Sequence, residues 1–173
     1  MSGILARRRA AHAAKRTCLI VRHADALGRS SWQGNDLERP LSIKGERQAA
    51  EIAVKLATSG VRRILSSPAE RCLTTVAPLA KTVGVELERA DFLVEGSEGA
   101  VALRRLVGEA SKLAAEATLV ACSHGDVITA ALRELARKGV IKYDPPTVQK
   151  GGALDLTLQR GSVIGAELVA PFA

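Results

Sequence analysis

The sequence predicts an α/β fold, a three-layer α/β/α sandwich with a mostly parallel central sheet. Short apolar runs rich in strand-forming residues alternate with longer segments of helical periodicity, which is the pattern of a parallel sheet covered by helices. The last two apolar runs are separated by a turn at Gly161, which indicates an antiparallel hairpin at one edge. The 173 residues, 47% of them hydrophobic, suffice for one domain with a buried core.

The first predicted strand is followed by the longest predicted loop. Residues 17–23 form an apolar run that ends in two polar side chains, as expected of a buried strand that reaches a site. Residues 24–40 are rich in Gly, Ser, Asn and Asp and predict a loop, which at this length is usually functional. Ser42 then caps a helix that ends at Gly60. The apolar residues on one face of this helix are Ala49, Ile52, Ala53 and Leu56.

The middle of the chain predicts a second strand, a capped helix and a third strand. Residues 62–67 form the strand, and residues 67–70 (Ser-Pro-Ala-Glu) fit a capping box with proline at the first helical position. Pro78 lies deep enough inside this helix to kink it or to split it. Residues 85–90 predict the third strand, which leads into a loop with two glycines.

The remaining chain continues the alternation and ends in the hairpin. Residues 99–115 predict a helix, residues 118–124 an apolar strand that closes on a histidine, and residues 125–139 another helix that glycine stops. Residues 152–158 and 163–169 form the two strands of the terminal hairpin.

The net charge of +7 is unevenly distributed along the chain. Residues 1–16 contain five basic residues and no acid, which predicts a basic, disordered leader before a single domain at residues 17–173. The rest of the chain is nearly neutral. Because only 2% of the residues are aromatic and those few are scattered, no stacking platform for nucleic acid is expected.

The sequence also indicates the cellular compartment of the protein. No apolar run is long enough to cross a bilayer, and the leader lacks the apolar stretch of a secretory signal, so no membrane partner is expected. Cys18, Cys72 and Cys122 are widely spaced and form neither metal-binding pairs nor a plausible disulfide framework. We therefore expect a cytoplasmic protein.

Three predicted strands lead into residue types that are suited to bind an anion. The first delivers Arg22 and His23, the second leads to Arg71, and the fourth delivers His124. The planar guanidinium group matches phosphate oxygens, and Arg71 lies near the positive end of a predicted helix. A single histidine at a strand end is more often structural. Two histidines at matching strand ends favour a dianion pocket in which a neutral imidazole acts as nucleophile.

The motifs of several known classes of phosphate-processing enzyme are absent. A cysteine phosphatase needs arginine six residues beyond its cysteine, and the three positions hold Ala24, Pro78 and Ile128. No phosphate-binding loop with the Gly-Lys-Ser/Thr ending is present, and His23 and His124 have no metal ligands at suitable spacing.

Four segments, in order, carry a family resemblance. Residues 19–26 (LIVRHADA), 39–49 (RPLSIKGERQA), 66–75 (SSPAERCLTT) and 121–127 (ACSHGDV) resemble the histidine phosphatase superfamily, which has the phosphoglycerate-mutase-like fold. The chain is similar to its small phosphohistidine phosphatases. It is also similar to the phosphatase domain that follows a Nudix domain in some actinobacterial enzymes. Ala24 stands where the first motif of the family usually has glycine, and we expect its methyl group near the phosphate pocket.

The resemblance implies a role for each motif residue. His23 would attack phosphorus and form a phosphohistidine, while Arg22, Arg71 and a hydrogen-bond-donating His124 would hold the phosphoryl oxygens. The general acid follows the third strand in a Leu-x-Glu pattern, which residues 93–95 match. Glu95 is therefore the candidate acid, with Glu98 as the alternative. This chemistry needs no metal ion and no cofactor.

The spacing of the motifs bears on the substrate. Between Glu95 and His124 lie 28 residues, filled by one helix and one strand, so no lid is inserted and the pocket should be open and shallow. Such a pocket favours phosphohistidine on a protein or another large phosphorylated substrate. Small phosphate esters or nucleotides remain an alternative, as does a phosphate-binding module without turnover. The wall that contacts substrate is expected in the 24–40 loop, which could equally be a plain surface loop. Its candidate residues are Arg29, Trp32 and Arg39.

Overall fold

A computed structural model describes residues 15–142 and 147–172 of the chain. Its strands are β1 (Arg16–Arg22), β2 (Val61–Ser66), β3 (Leu87–Arg89), β4 (Thr118–Ser123), β5 (Ala153–Gln159) and β6 (Ser162–Val169). Its helices are α1 (Ile43–Leu56), α2 (Glu70–Val83), α3 (Gly99–Ser111) and α4 (Gly125–Arg137). Among the described residues, no helix combines the length and the apolar character needed to cross a bilayer.

The described strands form one sheet in the order β3-β2-β4-β1-β5-β6. The first four strands in this order run parallel to one another, whereas β5 is antiparallel to both β1 and β6. The mostly parallel sheet with an antiparallel edge is therefore confirmed. At the hairpin between β5 and β6, Arg160 and Gly161 both adopt positive φ angles (52° and 74°), as a tight turn between twisted strands requires.

Two apolar clusters cover the two faces of the sheet. Successive side chains of β1 point to opposite faces, so Cys18 and Ile20 pack with α3 and α4, while Leu19 and Val21 pack with α1 and α2. The central strand β4 is buried along its whole length, which explains why its sequence is a continuous apolar run. This arrangement confirms the three-layer sandwich.

The start of α2 differs from the sequence prediction. The helix begins at Glu70 with Ala69 as its N-cap, and no side chain caps it, so the predicted capping box at residues 67–70 is wrong. The hydroxyl of Ser67 lies 2.9 Å from a ring nitrogen of His124 and 3.4 Å from the backbone nitrogen of Ala69. The Ser67 hydroxyl, which was expected to cap the helix, therefore contacts His124 instead.

Two further expectations need correction. Of the two effects predicted for Pro78, a split of α2 does not occur, because the helix runs through Pro78 to Val83 while its apolar face stays buried; the kink stays a prediction. The 24–40 loop is not structureless, since it contains two three-residue 3₁₀ helices and a bridge between Ala26 and Leu41. Residues 1–14, most of the expected leader, lie outside the described residues, and β1 begins inside that leader at Arg16.

Candidate active site

The ends of β1 and β4 bring two histidines together. Arg22 is the register partner of Ser123, and the backbone N–H of His23 donates to the carbonyl of Ser123 (3.0 Å). Each strand is followed at once by its histidine, so the rings of His23 and His124 meet edge to face with centroids 5.4 Å apart. Both are buried, with 7% of His23 and 1% of His124 exposed.

The protonation state of His23 follows from its surroundings. Its Nδ1 lies 2.8 Å from the carbonyl oxygen of Ala24, and because a carbonyl accepts only, Nδ1 carries the proton and Nε2 carries the lone pair. Burial lowers the pKa of His23 to about 3. The hydrogen bond to Ala24 opposes this shift, and the charges of His124, Arg71 and Arg22 reinforce it. At neutral pH the ring is an uncharged imidazole whose Nε2 has the electron pair that a nucleophile needs.

Ala24 does not line the cavity, contrary to expectation. It is fully buried, forms a small apolar cluster with Leu41 and Ala49, and donates its N–H to the Thr75 hydroxyl (2.9 Å). Its φ angle is not positive, so the backbone here does not require glycine. The methyl group is therefore a packing group beneath the loop.

Arg22 is held between the chain after β4 and the segment before β5. Its Nη1 donates to the carbonyl of Val148 (2.8 Å), while its buried Nε has no hydrogen-bond partner among residues 15–142 and 147–172. A Cβ at Gly125 would lie 2.8 Å from the Arg22 Cζ, so the backbone at the start of α4 packs directly against the guanidinium group. The glycine after His124 is thus explained by close approach.

Arg71, in the first turn of α2, is 1% exposed and lies behind the cavity wall. Its Nη1 donates to the Asp36 carbonyl (2.7 Å), and its Nη2 donates to Glu95 Oε2 (2.9 Å) and lies 3.4 Å from His124 Nδ1. Its Nε, like that of Arg22, is buried and lacks a partner within the described part of the chain. Two such guanidinium groups beside two imidazoles form a strongly anion-attracting pocket.

Both ring nitrogens of His124 are engaged by protein groups. Nε2 lies 2.9 Å from the Ser67 hydroxyl and 3.5 Å from the Cys72 sulfur, and Nδ1 faces Arg71. Because guanidinium only donates, Nδ1 accepts in this arrangement, and Nε2 donates to the hydroxyl. Donation from Nδ1 to a phosphoryl oxygen would require His124 to gain a proton there and the Arg71 contact to open.

Asp36 is a site residue that sequence reasoning missed. Its carboxylate pairs with Arg29 (3.1 Å), Arg39 (2.9 Å) and Arg71 (3.2 Å). Burial raises the pKa of Asp36, but hydrogen bonds from Arg29 and Arg39 and the charge of Arg71 outweigh it and lower the pKa to about 2. The side chain of Asn35 caps the short helix that carries Asp36. In the sequence this Asn-Asp pair resembles any polar loop.

The loop after β3 places Glu95 at the cavity and Glu98 away from it. Glu95 Oε2 accepts hydrogen bonds from Arg29 (2.7 Å) and Arg71 (2.9 Å), so the carboxylate bridges the 24–40 loop and α2. Glu98 is exposed at the N-cap of α3 and does not line the cavity. Of the two candidate acids, the geometry therefore favours Glu95.

The three loop residues predicted to contact substrate lie in different positions. Arg29 is exposed at the cavity. Arg39 is buried, and its guanidinium group donates hydrogen bonds to the Asp36 carboxylate and to the Leu27 carbonyl (2.7 Å). Trp32 is not brought to the cavity, since its indole N–H donates to the Asn35 carbonyl and its ring packs against the loop backbone.

The cavity at this edge of the sheet has a volume of about 620 Å³, the size of a small-molecule site. Its basic lining residues are Arg22, Arg29, Arg39, Arg133 and Lys150. No further helix or strand is inserted between α3 and β4, and the structure describes every residue of that stretch. Within the described residues, no three His, Cys, Asp or Glu side chains form a metal-binding group.

The sequence matches one protein-family model and a curated relative. The family model "Histidine phosphatase superfamily (branch 1)" matches residues 18–104. An 8-oxo-(d)GTP phosphatase from Mycolicibacterium smegmatis is 28% identical over 159 residues, which cover 90% of this chain and 48% of that relative. The chain therefore spans about half the length of this curated relative.

Solved structures share the architecture. The SixA structure from Agrobacterium tumefaciens has a TM-score of 0.68 and 21% identity, with 90% of this chain and 97% of that chain covered. A protein histidine phosphatase SixA complexed with tungstate has a TM-score of 0.71 and 19% identity, with 88% and 93% covered. At these identities the likeness is one of fold.

Proposed function

Because this chain belongs to the histidine phosphatase superfamily, we propose that it hydrolyses phosphate monoesters through a phosphohistidine on His23, without a metal ion. One observation carries the proposal. The hydrogen bond from His23 Nδ1 to its neighbour's carbonyl leaves a neutral ring with its Nε2 electron pair beside two buried guanidinium groups. A nucleophile and the positive charge that a phosphoryl group requires are therefore preorganised at one point.

The reaction runs in two displacements. His23 Nε2 forms a bond to phosphorus as the bond to the leaving oxygen breaks, while Arg22, Arg71 and His124 stabilise the phosphoryl oxygens. The leaving oxygen takes a proton from Glu95. Water then attacks phosphorus, gives its proton to the Glu95 carboxylate, and releases phosphate and His23.

Glu95 must move for this role. In the structure its carboxylate occupies the donors of Arg71 and Arg29. An incoming phosphoryl dianion takes the Arg71 donors and frees Glu95 to reach the leaving group. Glu95→Gln is expected to lower kcat/KM, which reports only the steps up to phosphoryl transfer to His23, about a hundredfold for an alkyl phosphate, whose leaving group needs a proton, and far less for p-nitrophenyl phosphate. Equal losses on both substrates would contradict this role.

Small phosphate esters, nucleotides among them, are the proposed substrates. The cavity volume fits a small molecule, and the Mycolicibacterium relative is a nucleotide phosphatase by name. Phosphohistidine on a protein is the second candidate, since no helix or strand is inserted between α3 and β4 as a lid and the fold is similar to that of SixA structures. Comparing kcat/KM on a phosphohistidine protein with kcat/KM on a nucleotide panel decides between them.

The mechanism has a direct test. Rapid acid-free quenching with a ³²P-labelled ester should trap an alkali-stable, acid-labile phosphoenzyme, which His23→Asn should lack while keeping its circular dichroism spectrum. Turnover should be unaffected by EDTA and inhibited by tungstate or vanadate. Undiminished turnover by His23→Asn would overturn the proposal. Phosphate binding without any turnover would instead identify a binding module.

A further inference from the structure

One basic residue of the cavity is left without a counter-charge. Carboxylates neutralise three of the five basic lining residues, in the pairs Arg29–Asp36, Arg39–Asp36 and Lys150–Asp25. Arg22 serves the phosphoryl group in the proposed function. Arg133 remains, exposed at the cavity, and its side chain has no ion pair or hydrogen bond to any residue that the structure describes.

The carboxylates of the same helix are already occupied. Asp126 Oδ2 accepts the backbone N–H of Gly96 (2.7 Å). Glu134 pairs with Arg137 (2.9 Å) and Lys138 (3.3 Å). The positive charge of Arg133 is therefore available to a ligand.

Arg133 belongs to the face of α4 that lines the cavity. Gly125, Asp126, Thr129 and Arg133 all contribute to the lining, at the three- and four-residue spacing of one helix face. Arg137, one turn further on, is mostly exposed, pairs with Glu134 and lies outside the lining. Position on this face, and not mere exposure, distinguishes Arg133 from a solvated surface arginine.

Helix geometry fixes the separation from the reaction centre. Arg133 is eight positions after Gly125, which lies beside the phosphate-binding arginine, and eight positions amount to about 12 Å along the helix axis. A helical side chain leans back toward the N terminus, so the guanidinium group serves a ligand atom on the order of 10 Å from the phosphoryl group.

We infer that Arg133 forms a second anion subsite, which selects phosphate esters bearing a further phosphate or carboxylate on the order of 10 Å from the reacting phosphoryl group. The inference rests on the proposed function, because that function places the reacting group at the other end of the cavity. It narrows the substrate class from any accessible monoester to extended esters with two anionic ends.

The test compares two synthetic esters that have the same six-carbon chain. Hexanediol bisphosphate has a second phosphate near the required separation, and hexyl phosphate has none. The wild-type protein is expected to show a KM about tenfold lower for the bisphosphate, the effect of one charge-assisted contact. Arg133→Gln should remove this difference and leave kcat/KM for hexyl phosphate unchanged. Arg137→Gln, the matched control on the same helix, should keep the difference.

The test separates failure of the subsite from failure of the proposed function. Equal KM values for both esters in the wild-type protein, or loss of the difference in Arg137→Gln as well, would overturn the subsite. Hydrolysis of neither ester would contradict the proposed chemistry instead. Binding of the same two esters to the His23→Asn variant then makes the comparison without turnover, and equal Kd values there would overturn the subsite independently.

Discussion

Two groups of side chains meet at the cavity, and they are held in different ways. The strand-end group comprises Arg22, His23, Arg71 and His124, of which the last three are at most 7% exposed. The loop group comprises Arg29, Asp36, Arg39 and Glu95, and its Arg29 and Glu95 side chains are 62% and 42% exposed. Main-chain register fixes Arg22, His23 and His124, whereas ion pairs between segments distant in sequence hold most of the loop group and also engage the buried Arg71 of α2. The strand-end group should therefore bind and attack the phosphoryl group, whereas the loop group should supply the proton through Glu95 and otherwise tune the positions of its neighbours.

The largest expected difference compares one arginine from each group. Arg71→Lys removes a planar, buried donor set that a point charge cannot replace, so kcat/KM on p-nitrophenyl phosphate should fall about 10²- to 10³-fold. Arg29→Lys keeps the charge at an exposed position and should lower kcat/KM on the same substrate by less than about tenfold. Equal losses in steady-state kinetics would break the distinction between the groups.

The second prediction concerns the stability cost of burying His23. Its folded pKa of about 3 lies below the value near 6.5 of an unfolded histidine, so the unfolded state binds the extra proton between these pH values. Stability contributed by the neutral ring is thus fully present above about pH 6.5 and is lost as the pH falls toward 3. From pH 7 to pH 4 the wild-type protein should lose about 3 kcal/mol more free energy of unfolding than His23→Asn. Urea denaturation at both pH values measures this, and parallel pH dependence in the two proteins would contradict it.

The difference between the strand-end group and the loop group also explains which site residues the sequence could predict. The strand-end group follows from apolar runs that stop at Arg22-His23 and Ser123-His124, because parallel strands bring their carboxyl ends to one edge. The family match over residues 18–104 confirms the resemblance, and with it a phosphatase-family domain. The three-layer architecture follows from local periodicity and is confirmed as well.

Arg29, Arg39 and Glu95 of the loop group were candidates from the sequence. Asp36 and the contacts within the group could not be predicted, because these contacts are electrostatic and the contact with Glu95 is also long-range. Asp36 and Glu95 lie on separate loops, and both meet Arg71 only after α2 has packed on the sheet. Ser67 is another case that the sequence could not reveal. Its local pattern predicted a helix cap, but in the fold its hydroxyl contacts the distant His124. Arg39 and Trp32 looked alike in the sequence, yet one is buried at the cavity and the other packs on its own loop.

The third prediction tests whether Asp36 positions Arg71. Asp36→Asn keeps the backbone carbonyl that holds Arg71 but removes the charge that pairs with three arginines. We expect kcat to fall about tenfold because Arg71 is less well fixed. Tungstate should bind as tightly as before or up to about tenfold more tightly, since a competing carboxylate is gone. A parallel loss of tungstate affinity and kcat would indicate a structural role only.

The smallest expected effect on activity concerns Ala24, the departure from the glycine of the family motif. If its methyl group obstructed the phosphate site, Ala24→Gly would raise kcat/KM. The methyl group instead packs with Leu41 and Ala49, so Ala24→Gly should leave kcat/KM within about twofold and lower the free energy of unfolding by about 1 kcal/mol. Ala49→Gly, in the same cluster but on α1, is the matched control and should show the same pattern. A gain in activity confined to Ala24→Gly would place that methyl group in the strand-end group's pocket after all.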